Sequence, residues 1–424
     1  MKTPTTASLK KVSPENLARL GVERLARILV ETANIRPDLK RRLRMELAAE
    51  QGANHLALEI DRRLGSLETS RGKVSWRQRA SFVGDLDILR GLIAERLATL
   101  DAGMALARMW LFMDLARRLG VRVRDRDGTL GQVFAAGAAD IGALLAGASN
   151  EELARDVVEA IGRDIPNWTD WLPIVLTRTR PAFASDVLRG IADHGGGNPA
   201  WLILARQAAD AAGDVEAFQA TFTAATLRTP AIAAQAAQRL LSANRIEDAG
   251  RLLRAASPLL STARSPSGRP AMPLEIDFEW ESAWIDYLDR SGQGDAAQVA
   301  RWASFERTLS IERARDFTRR LADFADVEAE GRAFDHAVSY PDVQRALQFL
   351  MAWPALPEAA KLIESRLGEI TVASELAESW AATLRARRPA AAHALLRNAA
   401  AAAFRRREFK TAERLTQDAD TIDL

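Results

Sequence analysis

A chain of 424 residues exceeds what one compact core holds, about 250–300 residues, so two domains or an elongated stack of repeats is expected. Apolar residues make up 48% and charged residues 27%, the balance of a folded protein. Cysteine is absent, which excludes disulfides, thiolate metal sites, iron–sulfur clusters and cysteine nucleophiles, and fits a reducing cytoplasmic location.

The net charge of +2 hides an uneven distribution. Residues 1–130 carry 25 Lys and Arg against 16 Asp and Glu, a net of +9. Residues 131–380 carry a net of −11, and residues 381–424 a net of +4. A basic front, an acidic middle and a basic tail follow one another along the chain.

Ser13-Pro14-Glu15 opens the first predicted helix with an N-cap and a proline at its first position. Before it, Met1-Lys-Thr-Pro-Thr-Thr-Ala-Ser lacks the apolar segment of a secretory signal, so none is expected. Ala18, Val22, Leu25, Leu29 and Ala33 recur at helical spacing and predict one apolar face. Pro37 starts a second helix rich in Lys and Arg, residues 53–67 form a third, and residues 68–75 read as a polar loop. A long helix is predicted from Trp76 to about Thr99. The next, Met104 to Leu119, is apolar nearly all round and is expected to be buried on several sides. Residues 129–150 form the longest weakly charged stretch. Asp140 and the dilution by Gly and Ala favour a buried core helix over a membrane span.

From Ser149 the pattern becomes regular. Ser149 and Glu152 have capping-box spacing. Residues 198–212 and 214–227 predict a helical hairpin around Gly213-Asp214, and residues 230–242 and 246–256 another around Asn244-Arg245. These turns lie about 32 residues apart, close to the tetratricopeptide period of ~34, although that period is not kept elsewhere. Residues 257–273 read as a linker. Helices resume at about 274–290, 293–307 and 310–325, and the chain closes with 372–387, 389–406 and 408–422. The fold class this predicts is all-α, an irregular α-solenoid of antiparallel helical hairpins that is tetratricopeptide-like in logic. Its regions would be a basic helical region at 1–148, hairpins at 149–256, the loop at 257–273 and further hairpins at 274–424.

Residues that carry chemistry are sparse. The four histidines, His55, His194, His336 and His393, show no metal-ligand spacing, so no metal site is expected. Asp193-His194 and Asp335-His336 are adjacent in sequence, and such neighbours rarely face each other. His194-Gly-Gly-Gly-Asn198 lacks the preceding strand and the following Lys-Ser/Thr of a phosphate loop and reads as a flexible turn. Arg122-Val-Arg-Asp-Arg-Asp-Gly128 hints at a calcium loop but lacks its third early ligand and its closing Glu, so it reads as a polar interhelix loop. The basic runs are Arg36/Lys40/Arg41/Arg42/Arg44, Arg117/Arg118/Arg122/Arg124 and Arg405/Arg406/Arg407. Each reads first as a solvated face and second as a contact for nucleic acid or an acidic protein. The ten tryptophans are spread through the hairpins, as core anchors would be.

Residues 298–330 carry a distinctive order. It runs Gln298-Val-Ala-Arg-Trp302-Ala-Ser-Phe305, then Leu309-Ser-Ile-Glu, Arg315-Asp-Phe317, Leu321 and Phe324. Together with Ser13-Pro-Glu-Asn-Leu, Ala105-Leu-Ala-Arg-Met-Trp110, Gly131-Gln-Val-Phe134 and Arg388-Pro389, it resembles a bacterial family catalogued as domain of unknown function 6880. The resemblance spans nearly the whole chain. It implies a helical bacterial protein and carries over no catalytic residue and no cofactor.

Three functional expectations follow. The first is a non-enzymatic scaffold for a protein or peptide partner, with opposed charge blocks to orient it. Arg117, Arg118, Arg122, Arg124, Arg301, Glu306, Arg315 and Asp323 are candidate residues of the interaction surface. The second is nucleic-acid binding through the basic front. The third is an enzyme built on carboxylates and arginines, with Arg301, Glu306, Arg315 and Asp323 as candidates, although ion pairing between two helices is their simpler role. No cofactor and no membrane contact are expected, and the oligomeric state is left open.

Overall fold

The computed structural model describes residues 12–147, 150–194, 198–258 and 277–424. Among the described residues there are helices and no strands. The chain divides into two compact units, Met1–Phe222 and Thr223–Leu424.

The first unit opens with α1 (Pro14–Ala18), α2 (Val22–Ile35), α3 (Pro37–Ala49) and α4 (Ala53–Thr69). The Ser13 hydroxyl accepts from the Asn16 N–H and caps α1. The predicted continuous first helix is split at Gly21, whose φ of +79° breaks the helical path. Its expected apolar face is not buried among the described residues: Ala33 is covered, but Val22 is 84% exposed and Leu29 half exposed.

The long fourth helix begins as predicted with α5 (Trp76–Gly91). It then widens into a π-helical stretch, Leu92–Leu97, before a last short turn, α6 (Ala98–Leu100). The expected Met104–Leu119 helix is two pieces, α7 (Ala102–Asp114) and α8 (Ala116–Arg122), and Leu111 stands exposed. The Asp101 carboxylate caps α7 at the Met104 N–H.

α9 (Thr129–Ala146) is the one helix among the described residues long and apolar enough to cross a membrane. In the fold Phe134, Ala138, Ile141 and Leu145 are buried. Its Gly142 lies so close to the next layer that a Cβ there would stand 2.6 Å from the Val175 carbonyl oxygen. α10 (Glu151–Arg163), α11 (Ile165–Leu176), α12 (Pro181–His194), α13 (Pro199–Ala212) and the short α14 (Val215–Ala220) complete the unit. α9 packs on α11, α10 on α12, and α11 on α13, so each helix meets its neighbour but one. An aromatic chain runs through this core. Trp110, Trp168, Trp171, Phe134 and Phe112 follow one another at centroid separations of 5.3–6.0 Å.

The second unit holds α15 (Pro230–Ser242), α16 (Ile246–Ala255), α17 (Phe278–Arg290), α18 (Gly294–Thr308), α19 (Ile311–Thr318) and α20 (Ala325–Ser339). α21 (Val343–Ala352), α22 (Leu356–Arg366), α23 (Ser374–Leu384), α24 (Pro389–Arg405) and α25 (Phe409–Asp420) follow. Consecutive helices pack on each other from α15 to α22 and from α23 to α25, with α15 also on α17, α20 on α22, and α22 on α24.

The turns share one device. Gly213, Asn244, Gly292 and Arg407 take positive φ, between 59° and 77°. At each, the following residue's N–H reaches back across the helix end: Asp214 to Ala209, Arg245 to Leu240, Gln293 to Leu288 and Glu408 to Ala403, at 2.8–3.0 Å. This satisfies a terminal carbonyl and reverses the chain. The predicted helix at 214–227 is shorter than expected, ending at Ala220 and followed by the 3₁₀ turn Thr226–Arg228. The predicted helix at 310–325 ends at Thr318. Asn150, not Ser149, caps α10 through the Leu153 N–H, and Ser149 lies outside the described residues. The linker expected at 257–273 and the glycines 195–197 also fall largely or wholly outside them.

Candidate functional site

The three helices that close the first unit leave an open groove of about 540 Å³ between them. α12 contributes Leu188 and Ile191, α13 contributes Trp201, Leu202 and Ala205, and α14 contributes Ala217. Polar groups stand among them: Ser185 and Arg189 on α12, Asp214 and Thr221 at the two ends of α14. The residues of the floor are fixed from behind. Phe183, Val187 and Ile191 bury one face of α12, and Leu204, Ala208 and Ala209 bury one face of α13. Leu188 and Leu202 lie on the flanks and are only half-buried. His194 stacks on Trp201 at 6.0 Å and donates from Nδ1 to the Gly190 carbonyl at 2.9 Å. Asp214 is occupied as the α14 cap, accepting from the Ala217 N–H at 2.9 Å.

A second groove of about 520 Å³ lies between α24 and α25 in the second unit. Phe404 and Phe409 meet edge to face at 5.5 Å on its rim and are 63% and 58% exposed. Neither groove is announced by a motif. Their signal in the sequence is weak: apolar residues such as Leu188, Leu202 and Phe409 sit one position outside the buried stripe of their helices.

The arginine run of the first unit does another job. Arg118 donates to the Glu68 carbonyl at 2.6 Å, and Arg122 to the Leu67 and Gly72 carbonyls at 3.1 and 2.9 Å. These cations satisfy the carbonyls that end α4 and pin the 70–75 loop, where the helix dipole also favours positive charge. Arg117 and Arg124 are exposed, and the Arg124 carbonyl accepts from Arg79 at 3.0 Å. Asp125 and Asp127 are likewise taken. Asp127 pairs with Arg79, and Asp125 accepts from the Leu130 and Gly131 N–H groups at 3.1 and 3.0 Å. Partial burial opposes the Asp125 charge, but those N–H groups and the Thr129 hydroxyl outweigh it and hold its pKa below the usual carboxylate range.

In the second unit the four candidates do not converge. Arg301 is 1% exposed and lies between α17 and α18. It donates to Asp289 across the helix pair and to Gln298 at 3.0 Å on its own helix. Glu306 is exposed and accepts from the Trp302 indole at 2.6 Å, while its carbonyl takes a bond from His336 Nε2 at 2.8 Å. Arg315 is exposed beside the Trp353 ring at 5.6 Å, and Asp323 is exposed in the turn before α20. The other polar contacts between α17, α18 and α19 were not singled out from the sequence. Glu281 accepts from Ser304 at 2.9 Å and pairs with Arg307, and Arg313 reaches Ser282 and lies over the Phe278 ring at 4.4 Å. Desolvation lowers the pKa of Arg313, the sign that its charge is held at some cost. Nε of Arg301 and of Arg313 find no hydrogen-bond acceptor among the described residues.

Among the described residues no three His, Asp or Glu side chains stand close enough to share a metal ion. The fold and these sites define an all-helical protein with arginine ion pairs buried between helices and open apolar grooves on its surface. The sequence pattern of the family of unknown function DUF6880 matches residues 7–179 and 198–424, and the chain belongs to that family. Comparison with curated proteins and with solved structures returned no match.

Proposed function

We propose that the chain is a helical-repeat, solenoid-type scaffold that binds a protein or peptide partner, and that the groove of α12, α13 and α14 takes the apolar face of a partner helix. The observation that carries this reading is the groove itself. It is open to solvent, and its half-buried leucines flank a buried Trp201. Its charged lining residues are already engaged: Arg189 pairs with Asp186 at 3.0 Å, and Asp214 caps α14. What remains for a ligand is apolar surface on rigid helices, the means by which helix-in-groove recognition works. The neighbour-but-one packing of α9 to α13 supports a repeat architecture, in which binding surfaces arise between successive units.

The experiment is a selection of amphipathic helical peptides against the full chain, followed by titration against Leu188→Glu and Leu202→Glu. Both side chains are half-buried, so the variants should fold. A peptide that binds the parent and loses about tenfold or more in affinity on either variant supports the reading, because the carboxylate would have to be buried unpaired. Failure to enrich any peptide, or enriched peptides indifferent to both substitutions, would overturn it.

A further inference from the structure

The first basic run, Arg36 to Arg44, is not spent in the way the second one is. It opens onto a cleft of about 270 Å³ lined by α2, α3, α4 and α5, with the π-helical stretch as part of its wall. Arg36, Arg41 and Arg42 line it from the α2–α3 side, and Arg63 lines it from α4. Only two carboxylates share the lining, Asp38 and Asp85. Asp38 is held by Arg36, which grips both its oxygens. Asp85 accepts from Arg41 at 3.0 Å and stands 3.9 Å from Arg63, so one carboxylate serves two guanidinium groups. Arg42 makes no ion pair or hydrogen bond among the described residues. The cleft therefore holds more cation than it balances.

The other wall is apolar, built from Leu39, Met45, Ile88, Leu89 and Leu92. Met45, Leu89 and Leu92 are buried, so this wall is anchored in the core. Burial, and after it the charge of Arg41, push the Arg63 pKa down, which is the state an incoming anion would relieve. A π-helical insertion disrupts the regular ladder and recurs at functional sites, and here it places Leu92 at the cleft.

We propose that this cleft binds a small organic anion, an oxyanion group held by Arg42 and Arg63 with a compact apolar body against Leu39 and Ile88. Planar guanidinium forks match carboxylate and phosphate oxygens, so either group satisfies the cationic side. The small volume, about 270 Å³, and the apolar wall favour a small ligand over a nucleic-acid backbone, which would seek a long basic stripe.

The test is calorimetric titration of the full chain with phenyl phosphate, benzoate and inorganic phosphate. Phenyl phosphate or benzoate should bind saturably and more tightly than inorganic phosphate, and comparing the two identifies which oxyanion is preferred. Arg42→Gln, at an exposed position, and Arg63→Met should each weaken binding by about tenfold. Arg397→Gln, in the second unit, should leave it unchanged. If Arg63→Met does not fold, Arg42→Gln alone decides. No saturable binding of any of the three, or binding that survives both cleft variants, overturns the proposal.

Discussion

Arg301 on α18 donates to Asp289 on α17 from a position that solvent hardly reaches. The pair locks two successive helices of the second unit in one register, and Asp289 also stands 3.7 Å from Arg320. A buried arginine with one good partner is sensitive to the loss of that partner, because the remaining charge has nowhere to go.

Asp289→Ala should therefore destabilise the second unit by about 3 kcal/mol. Arg301→Met, which removes the charge and keeps much of the volume, should cost about 1 kcal/mol. Urea denaturation followed by fluorescence, in a chain whose tryptophans include Trp280 and Trp284 on α17, would measure both. Equal costs, or a larger cost for Arg301→Met, would mean the pair does not carry a buried charge.

Gly142 and Gly137 both lie on α9 where the neighbouring layer comes close. A Cβ at Gly142 would meet the Val175 backbone, whereas one at Gly137 would meet the Met113 sulfur at 2.8 Å. Backbone cannot step aside and a methionine can. Gly142→Ala should lower stability by about 1–3 kcal/mol, and Gly137→Ala by less, since alanine's helix propensity offsets part of the strain. Thermal denaturation of both variants checks the order.

Asp38 has a testable titration. The Arg36 guanidinium bonded to it holds its pKa down at about 2, against 3.8 for a free aspartate. Because the folded value is the lower one, the pair's contribution to stability is complete above pH ~4. It fades as pH falls from there towards ~2. Carbon-detected NMR of the Asp38 carboxyl should give a midpoint near 2, and Arg36→Gln should return it towards 3.8.

Asp125 acts as a cap for α9 through the Leu130 and Gly131 N–H groups. Asp125→Ala should cost about 1 kcal/mol in thermal stability. The parent's melting temperature should not move with added calcium, since the carboxylate is already committed to the helix end. A calcium-dependent rise lost in Asp125→Ala would reverse that assignment.

The hairpin turns were legible because their chemistry is local. Gly213-Asp214 and Asn244-Arg245 place residues that tolerate positive φ at helix ends, and the structure turns there. Arg301 was legible as a candidate, but its partners were not. Glu306 is five residues further along the same helix, which turns it about 140° away, so it faces solvent while Arg301 faces α17. In α19 Arg313 is buried and Arg315, about 200° round, is not. Which arginine turns inward depends on how α17, α18 and α19 are phased against each other, and no single helix encodes that. The grooves were hidden for the same reason. Leu188 and Leu202 become one surface only once α12 and α13 are packed.

The most direct test of the scaffold reading is a methyl NMR titration of the full chain, labelled at isoleucine and leucine methyl groups, with a peptide selected against it. The reading predicts that Leu188, Ile191 and Leu202 shift together and saturate with one dissociation constant. Shifts confined to other methyl groups, with these three unmoved at saturation, would contradict it.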